Sequence, residues 1–351
     1  AWFHAMNLAW HAVASLMVML AAEALGLTKR AALLAGLLFA VHPLSSLVAD
    51  AIAFRSESML VAALLALLVA HVREKPLLAG VALACAALTK ETGAALVTLA
   101  LVHGLRHRAK RRVLVAEVVA FVGTAAVRGL FAPSWRASYA SMPFADQLGT
   151  RLASLTKSAA AVVGVERSIC DAFAVTHPWQ PTALAGAGVL AALGYFAWKR
   201  RGLALLLAIA VVPSLQLVPV TRWWSPHYLY LPLAFLVMLV AEYADRLDER
   251  RWRFAVVSSS LILAAVTFYD ARRYTDDVAL WLPEARHQPA CREAQFYLGE
   301  VERTSRNWDA AAKRYEASLA EHDAVLAFVD RAAAYQNLGA VRFEQKRFAD
   351  A

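Results

Sequence analysis

The sequence predicts an all-α protein: a polytopic bundle of about ten transmembrane helices, followed by an α-solenoid of short helical repeats. Three observations carry this prediction. The composition is apolar, apolar runs of bilayer length alternate with charged loops, and a polar tail repeats one helical pattern. Of 351 residues, 60% are apolar and 18% charged, with a mean hydropathy of +0.48. Soluble chains lie nearer half apolar and a quarter charged. Disordered, collagen-like and disulfide-scaffold classes are excluded, since three cysteines (Cys85, Cys170, Cys291) build no framework. The excess of 36 basic over 27 acidic residues invites a nucleic-acid reading, but the basic residues sit in loops between apolar runs rather than in a patch.

A hydrocarbon core of about 30 Å takes roughly 20 apolar residues per helix. Such stretches fall near 7–26, 31–49, 58–72, 77–89, 93–105, 113–131, 181–198, 202–218, 228–244 and 254–270. The runs 77–89 and 93–105 are short, and one long helix interrupted at Lys90-Glu91 is the competing reading. Loop charge decides for two helices. Lys29-Arg30, Arg73/Lys75, the cluster Arg106 to Arg112, Lys199-Arg200-Arg201 and Arg246 to Arg253 carry sixteen basic residues, whereas the intervening short loops hold Arg55, Lys90 and Arg222. With ten spans the two kinds of loop alternate, as the positive-inside rule requires. Arg272-Arg273 is a mild counter-signal.

The first residues and everything after about 271 then lie outside. The chain opens without Met, a basic n-region or a cleavage site, so no signal peptide is read. The sequence is expected to be a piece of a longer protein, with a further helix upstream. The expected localisation is a bacterial inner membrane, with the repeats on the periplasmic or lumenal side. Trp198 and Trp223-Trp224 fit interface anchors. Residues 151–161 read either as an amphipathic helix on the outer leaflet or as an ordinary loop helix.

The domain boundary falls near 270: residues 1–270 form the membrane domain and 271–351 the start of the repeat domain. Leu298-Gly299, Asn307-Trp308-Asp309, Ala311, Tyr315, Ser318 and Leu319 match the tetratricopeptide pattern. Leu338-Gly339, Phe348 and Ala351 repeat it at an offset of 40 residues, which places an insertion of about six residues near 320–331. Such arrays bind extended peptides on a concave face; the alternative is a membrane-anchored spacer.

Polar residues gather where the spans meet the outer face: His42, Asp50, Arg55, Glu57, Lys90, Glu91, Arg128, Arg222 and His227. Charge at bilayer depth costs at least about 2.5–3.5 kcal/mol, so such groups face a cavity or one another. Arg55, Lys90, Arg128, Arg222 and His227 make a cationic group suited to a phosphate. Asp50, Glu57 and Glu91 could act as bases, hold a divalent metal or orient the cations. Each also has a structural reading: packing for His42, solvated hairpin-tip charge for Lys90 and Glu91, capping for Arg55 and Glu57, interfacial polarity for Arg222 and His227, snorkelling for Arg128. Gly186-Ala187-Gly188-Val189-Leu190-Ala191 spells a dinucleotide-loop pattern, but it lies in an apolar span, where close helix packing explains it better.

Four segments carry a family resemblance: Phe39-Ala40-Val41-His42-Pro43-Leu44, Arg55-Ser56-Glu57, Leu88-Thr89-Lys90-Glu91-Thr92-Gly93 and His227-Tyr228-Leu229-Tyr230-Leu231-Pro232. With the repeats behind them, nearly the whole chain resembles the transmembrane-and-tetratricopeptide-repeat O-mannosyltransferases and their bacterial relatives, multi-span glycosyltransferases of the GT-C class. The resemblance implies a polyprenyl-phosphate sugar donor, with mannose as the expected sugar, and a protein Ser/Thr or glycan hydroxyl as acceptor. It implies an inverting displacement in which a carboxylate takes the acceptor proton and cations stabilise the departing phosphate. In this class that carboxylate belongs to an outer loop that would precede Ala1. Two departures stand out: Leu47 occupies a place where relatives often carry Glu, and Pro226-His227 one where they often carry an acidic residue and Arg.

The expected site therefore has Arg55, Lys90, Arg222, His227 and Tyr230 around the donor phosphate and sugar, with Glu57, Glu91 and His42 as catalytic or orienting groups. The expected partners are the lipid-linked donor, the acceptor held by the repeats and the bilayer, with no nucleic acid. Two rivals remain: a transporter or flippase for a lipid-linked or anionic solute, and a non-catalytic membrane anchor for the repeats.

Overall fold

Apolar runs become helices until Pro, Gly or an extended residue breaks the backbone ladder. The computed structural model describes residues 2–90, 111–131, 142–200, 202–216, 222–322 and 324–349. Apart from short 3-10 turns and one strand pair, its regular elements are α-helices. They are α1 (Trp2–Ala24), α2 (Lys29–Val41), α3 (Leu44–Asp50), α4 (Arg55–Val72), α5 (Pro76–Thr89) and α6 (Arg111–Phe131). There follow α7 (Phe144–Val162), α8 (Pro181–Arg200), α9 (Leu203–Val211), α10 (Tyr230–Ala244) and α11 (Glu249–Ala271). The polar tail forms α12 (Asp277–His287), α13 (Arg292–Thr304), α14 (Trp308–Leu319) and α15 (Arg331–Glu344).

Among the described residues, five helices are long and apolar enough to cross a membrane: Trp2–Ala24, Arg55–Val72, Pro181–Lys199, Pro226–Ala244 and Glu249–Thr275. The pair α2–α3, bent by 63°, makes a sixth if it is one span. The bend has a local cause. His42 is extended (ψ 134°) before Pro43, the conformation a following proline favours, and its Nδ1 accepts the Leu44 N–H at 3.2 Å. The expected spans at 77–89 and 202–218 appear as shorter apolar helices. Residues 113–131 lie in α6, and 93–105 lie outside the described residues.

The chain divides into two compact units. The first comprises Ala1–Trp135, Leu190–Ser214 and Pro226–Phe268. Here α1 packs on α2 and α4, α5 lies between α4 and α6, and α10 meets α2 and α9. Small residues suit the α1–α2 approach: Ala14, Val18, Ala21 and Ala22 of α1 and Ala31, Ala32 and Ala35 of α2 are all essentially buried. A Cβ on Gly36 would lie 3.2 Å from the Ser15 carbonyl oxygen, the close packing that small residues permit in membranes.

The second unit comprises Arg136–Val189, Leu215–Ser225 and Tyr269–Ala351, so the segment before α8 and the Trp223-Trp224 loop belong with the polar tail. Helices α12 and α13, α13 and α14, and α14 and α15 pack in sequence. Ala311, Ala312, Tyr315 and Val341 are buried together with Phe296, Trp308 and Leu338 against them. A Cβ on Gly299 would meet the Tyr315 ring at 2.8 Å. Asp276 and Asp330 cap α12 and α15, accepting the backbone N–H groups of Ala279 and Ala333, each such cap contributing about 1 kcal/mol.

The connector between α14 and α15 carries β2 (Val325–Leu326), which pairs antiparallel with β1 (Phe173–Ala174). A disulfide joins Cys170 to Cys291, with 6.0 Å between Cα atoms. Around it Ala172, Trp281, Ala285, Ala294 and Leu298 form a buried cluster. Asp171 accepts the Phe328 N–H at 2.9 Å, and Ser168 donates to the Glu284 carboxylate at 2.5 Å. Cys170 and Cys291, which the sequence offered only as members of an incomplete framework, thus form one bridge.

Trp223 and Trp224 are 3% and 1% exposed, which removes them from any interfacial belt. Trp224 Nε1 donates to Ser158 at 3.1 Å, and Lys157 Nζ lies 4.1 Å from its ring centroid. Trp198 is exposed. Helix α7, which contains residues 151–161, buries Ala153, Ser154, Leu155 and Ser158 within this unit.

Candidate functional site

The first unit brings three of the sequence motifs to one point. Glu57 sits in the first turn of α4 and is 6% exposed. Lys90 follows the last residue of α5 in extended conformation, and its Nζ donates to Glu57 Oε1. His227 stands in the 3-10 turn Pro226–Leu229 that leads into α10, is 3% exposed and places Nε2 3.6 Å from the same oxygen. Phe54 stacks on the His227 ring at 4.3 Å, and Lys90 Nζ lies 5.8 Å from the Tyr228 ring. A small cavity of about 30 Å³ opens among Glu57, Lys90, His227, Tyr228 and Pro213. A carboxylate so buried is tolerated because the Lys90 ammonium meets it.

Arg55 sits two residues before Glu57 and has different partners. Its Nε donates to Asn7 Oδ1 at 2.8 Å and its Nη2 to the Phe3 carbonyl at 3.3 Å. Asn7 in turn donates to the Ala51 carbonyl at 3.0 Å. Arg55 borders an apolar groove of about 1050 Å³ that follows α4 between α1 and α5. Arg55, Ser56 and Thr89 line one end, Arg73 and Lys75 the other, and among the described residues no acidic side chain lines it.

Tyr230 turns elsewhere. It is 1% exposed, its ring packs on Phe39 at 4.8 Å, and its hydroxyl lies 2.6 Å from His11 Nδ1. His11 Nε2 lies 3.1 Å from the Ala40 carbonyl, so Nε2 carries the proton and, in the neutral ring, Nδ1 accepts from the tyrosine. His42 is buried at the α2–α3 bend. Arg222 belongs to the second unit, where it pairs with Glu293 and lies 4.9 Å from the Phe328 ring. Glu91 and the Arg128 side chain lie outside the described residues.

Sequence reasoning missed several groups. Asn7, His11 and Ser15 recur every fourth residue on α1 and are all buried, a polar stripe in an apolar helix that the charge survey passed over. His71 donates from Nδ1 to Glu117 at 2.7 Å, joining α4 to α6, and Glu117 is 2% exposed. Among the described residues no three His, Cys, Asp or Glu side chains gather as a metal site would require.

No family model, curated protein or solved structure matches this chain. One carboxylate holds two basic side chains from separate segments at the rim of a small cavity, and an arginine with no ion-pair partner among the described residues lies beside them in sequence. Lys90 and His227 can bind an anionic oxygen, since an incoming phosphate competes with Glu57 for them, whereas Arg55 lines a separate groove.

Proposed function

We propose that the chain is a membrane glycosyltransferase that moves a sugar, with mannose first in line, from a polyprenyl-phosphate donor to a hydroxyl acceptor. The observation that carries this reading is the meeting of Glu57, Lys90 and His227, which come from three segments of the GT-C-like pattern. The acceptor oxygen attacks the anomeric carbon while the bond from that carbon to the phosphate oxygen breaks. The electron pair goes to the phosphate, and the acceptor proton goes to a carboxylate base. Lys90, His227 and Arg55 would meet the charge that grows on the departing phosphate. Glu57 would hold Lys90 and His227 in place rather than act as that base, since its oxygen is already engaged.

The second unit would lie outside, on the side where disulfides persist: Cys170 and Cys291 fall in two segments that loop charge puts on one face. The tail helices pack in sequence and, read as tetratricopeptide repeats, would recruit the acceptor. The test is transfer from polyprenyl-phosphate-mannose in proteoliposomes. Lys90→Ala or Arg55→Ala should lower the rate about a hundredfold with insertion intact. Near-normal transfer by both variants would remove the reading.

A second reading, translocation of a lipid-linked or anionic solute, draws on the His71–Glu117 pair, which puts ionisable groups at the opposite end of α4 from Glu57. Solute flux without sugar transfer in the same proteoliposomes would favour it.

A further inference from the structure

The groove along α4 has a second end that the transferase reading does not use. Its floor is Met59, Ala62, Ala63, Ala66 and Val69, apolar and mostly small side chains on one face of an 18-residue helix. At 1.5 Å per residue that helix measures about 27 Å, close to the thickness of the hydrocarbon core. Leu78, Val81 and Leu88 of α5, each half or more exposed, form one wall. Trp10, Val13 and Met17 of α1 form the other.

The charge at the far end is one-sided. Arg73 and Lys75 line the groove there, while Glu74 between them does not. Glu74 adopts φ +55° in the tight turn that joins the two helices. Among the described residues neither Arg73 nor Lys75 enters an ion pair. Lys75 also occupies the N-cap of α5, with no side-chain hydrogen bond to the first turn and Pro76 directly after it. The positive end of that helix dipole points where the two cations stand.

We propose that the Arg73–Lys75 end is a binding site for an anionic phospholipid: the two cations hold its phosphate and an acyl chain lies in the groove against Ala66 and Val69. Charge complementarity selects this occupant over a neutral lipid, because basic pockets between membrane helices take acidic headgroups. The apolar lining selects a lipid over a free phosphate. The proposal rests on the membrane bundle alone and is independent of the transferase reading.

The test is native mass spectrometry of the full chain released from mixed micelles of phosphatidylglycerol and phosphatidylcholine. One phosphatidylglycerol should be retained in clear preference to phosphatidylcholine. Replacing both cations (Arg73→Gln with Lys75→Gln) should lower that retention about twenty-five-fold, each basic residue contributing roughly fivefold. Ala66→Phe, which fills the groove and leaves the charges alone, should lower retention of either lipid. Arg253→Gln, a basic residue that does not line the groove, should leave phosphatidylglycerol retention unchanged. Equal retention of the two lipids, indifference to the double substitution, or an equal loss in Arg253→Gln would overturn the proposal. So would displacement of the lipid by excess inorganic phosphate, or a dimer that carries no lipid.

Discussion

Glu57 and Lys90, 33 residues apart, form an ion pair in which the carboxylate is nearly buried and the ammonium about a quarter exposed, with His227 3.6 Å from the same carboxylate oxygen. Breaking such a pair from one side strands a charge, which costs about 3–5 kcal/mol, whereas replacing both members with neutral groups is far milder. Lys90→Met alone should therefore lower the melting temperature more than the double change Glu57→Gln with Lys90→Met. A thermal melt of the detergent-solubilised chain reads the difference. Equal losses in the single and double variants would mean that the pair contributes no coupling.

The Cys170–Cys291 bridge closes a long loop, with its two cysteines 121 residues apart. Loops of this length lose about 4–5 kcal/mol of stabilisation on the chain-entropy account when opened. Cys170→Ser with Cys291→Ser should lower the urea midpoint of the second unit, by less than that figure where the loop's Leu190–Ser214 and Pro226–Phe268 stay folded in the first unit. Site-resolved hydrogen exchange across 165–176 and 277–304 measures it, and unchanged protection there would contradict the expectation.

Asp171 makes a pH prediction with a definite sign. Burial raises its carboxyl, repulsion from Glu293 adds to this, and Arg222 and the Phe328 N–H oppose it, leaving it pushed up to about 7. A carboxyl whose native value exceeds its unfolded value near 3.9 binds more protons when folded. Its contribution is complete below about pH 4 and is lost as pH rises through about 7. The second unit should therefore lose stability over that window. Asp171→Asn keeps an acceptor for Phe328 and should flatten the slope. Denaturant titrations from pH 4 to 8 test it; a slope that persists in the Asn variant would assign the effect elsewhere.

Gly186 and Gly188 sit two residues apart in α8 yet predict opposite outcomes. A Cβ at Gly186 would fall 1.7 Å from the Leu152 carbonyl oxygen, whereas one at Gly188 meets nothing within 4 Å. Gly186→Ala forces α7 and α8 apart and should cost about 1–3 kcal/mol or more. Gly188→Ala should gain about 0.5–1 kcal/mol from the improved helix propensity. Parallel thermal melts compare them.

Much of this was legible in the sequence, and the residues show why. Helix positions follow from apolar runs, and the α2–α3 bend from His42-Pro43, because both are local. The glycine pattern at Gly186 was rightly assigned to close packing, since no strand precedes it. The sequence put Glu57, Lys90 and His227 in one expected site together with Arg55, Arg222 and Tyr230, which take other partners, because periodicity states which side a residue takes but not whom it touches. Arg222 shows the limit: its neighbours in sequence resemble a span flank, while its partner Glu293 lies 71 residues on. Trp223 and Trp224 failed for a similar reason, since an indole at a helix flank looks the same whether it meets lipid headgroups or Ser158. The disulfide left no local trace at all.

That covalent link also acts as a parity rule for threading. Two sulfur atoms bonded in one compartment require an even number of bilayer crossings between them. Between Cys170 and Cys291 lie Pro181–Lys199, Pro226–Ala244 and Glu249–Thr275, each long enough to cross unaided, together with the shorter Leu203–Leu215. Three crossings would strand the thiols on opposite leaflets. The short helix must therefore be counted as a fourth traverse, or one of the three long helices must fail to span. Oxidation can then follow only after that whole stretch has been inserted and its distal end has emerged.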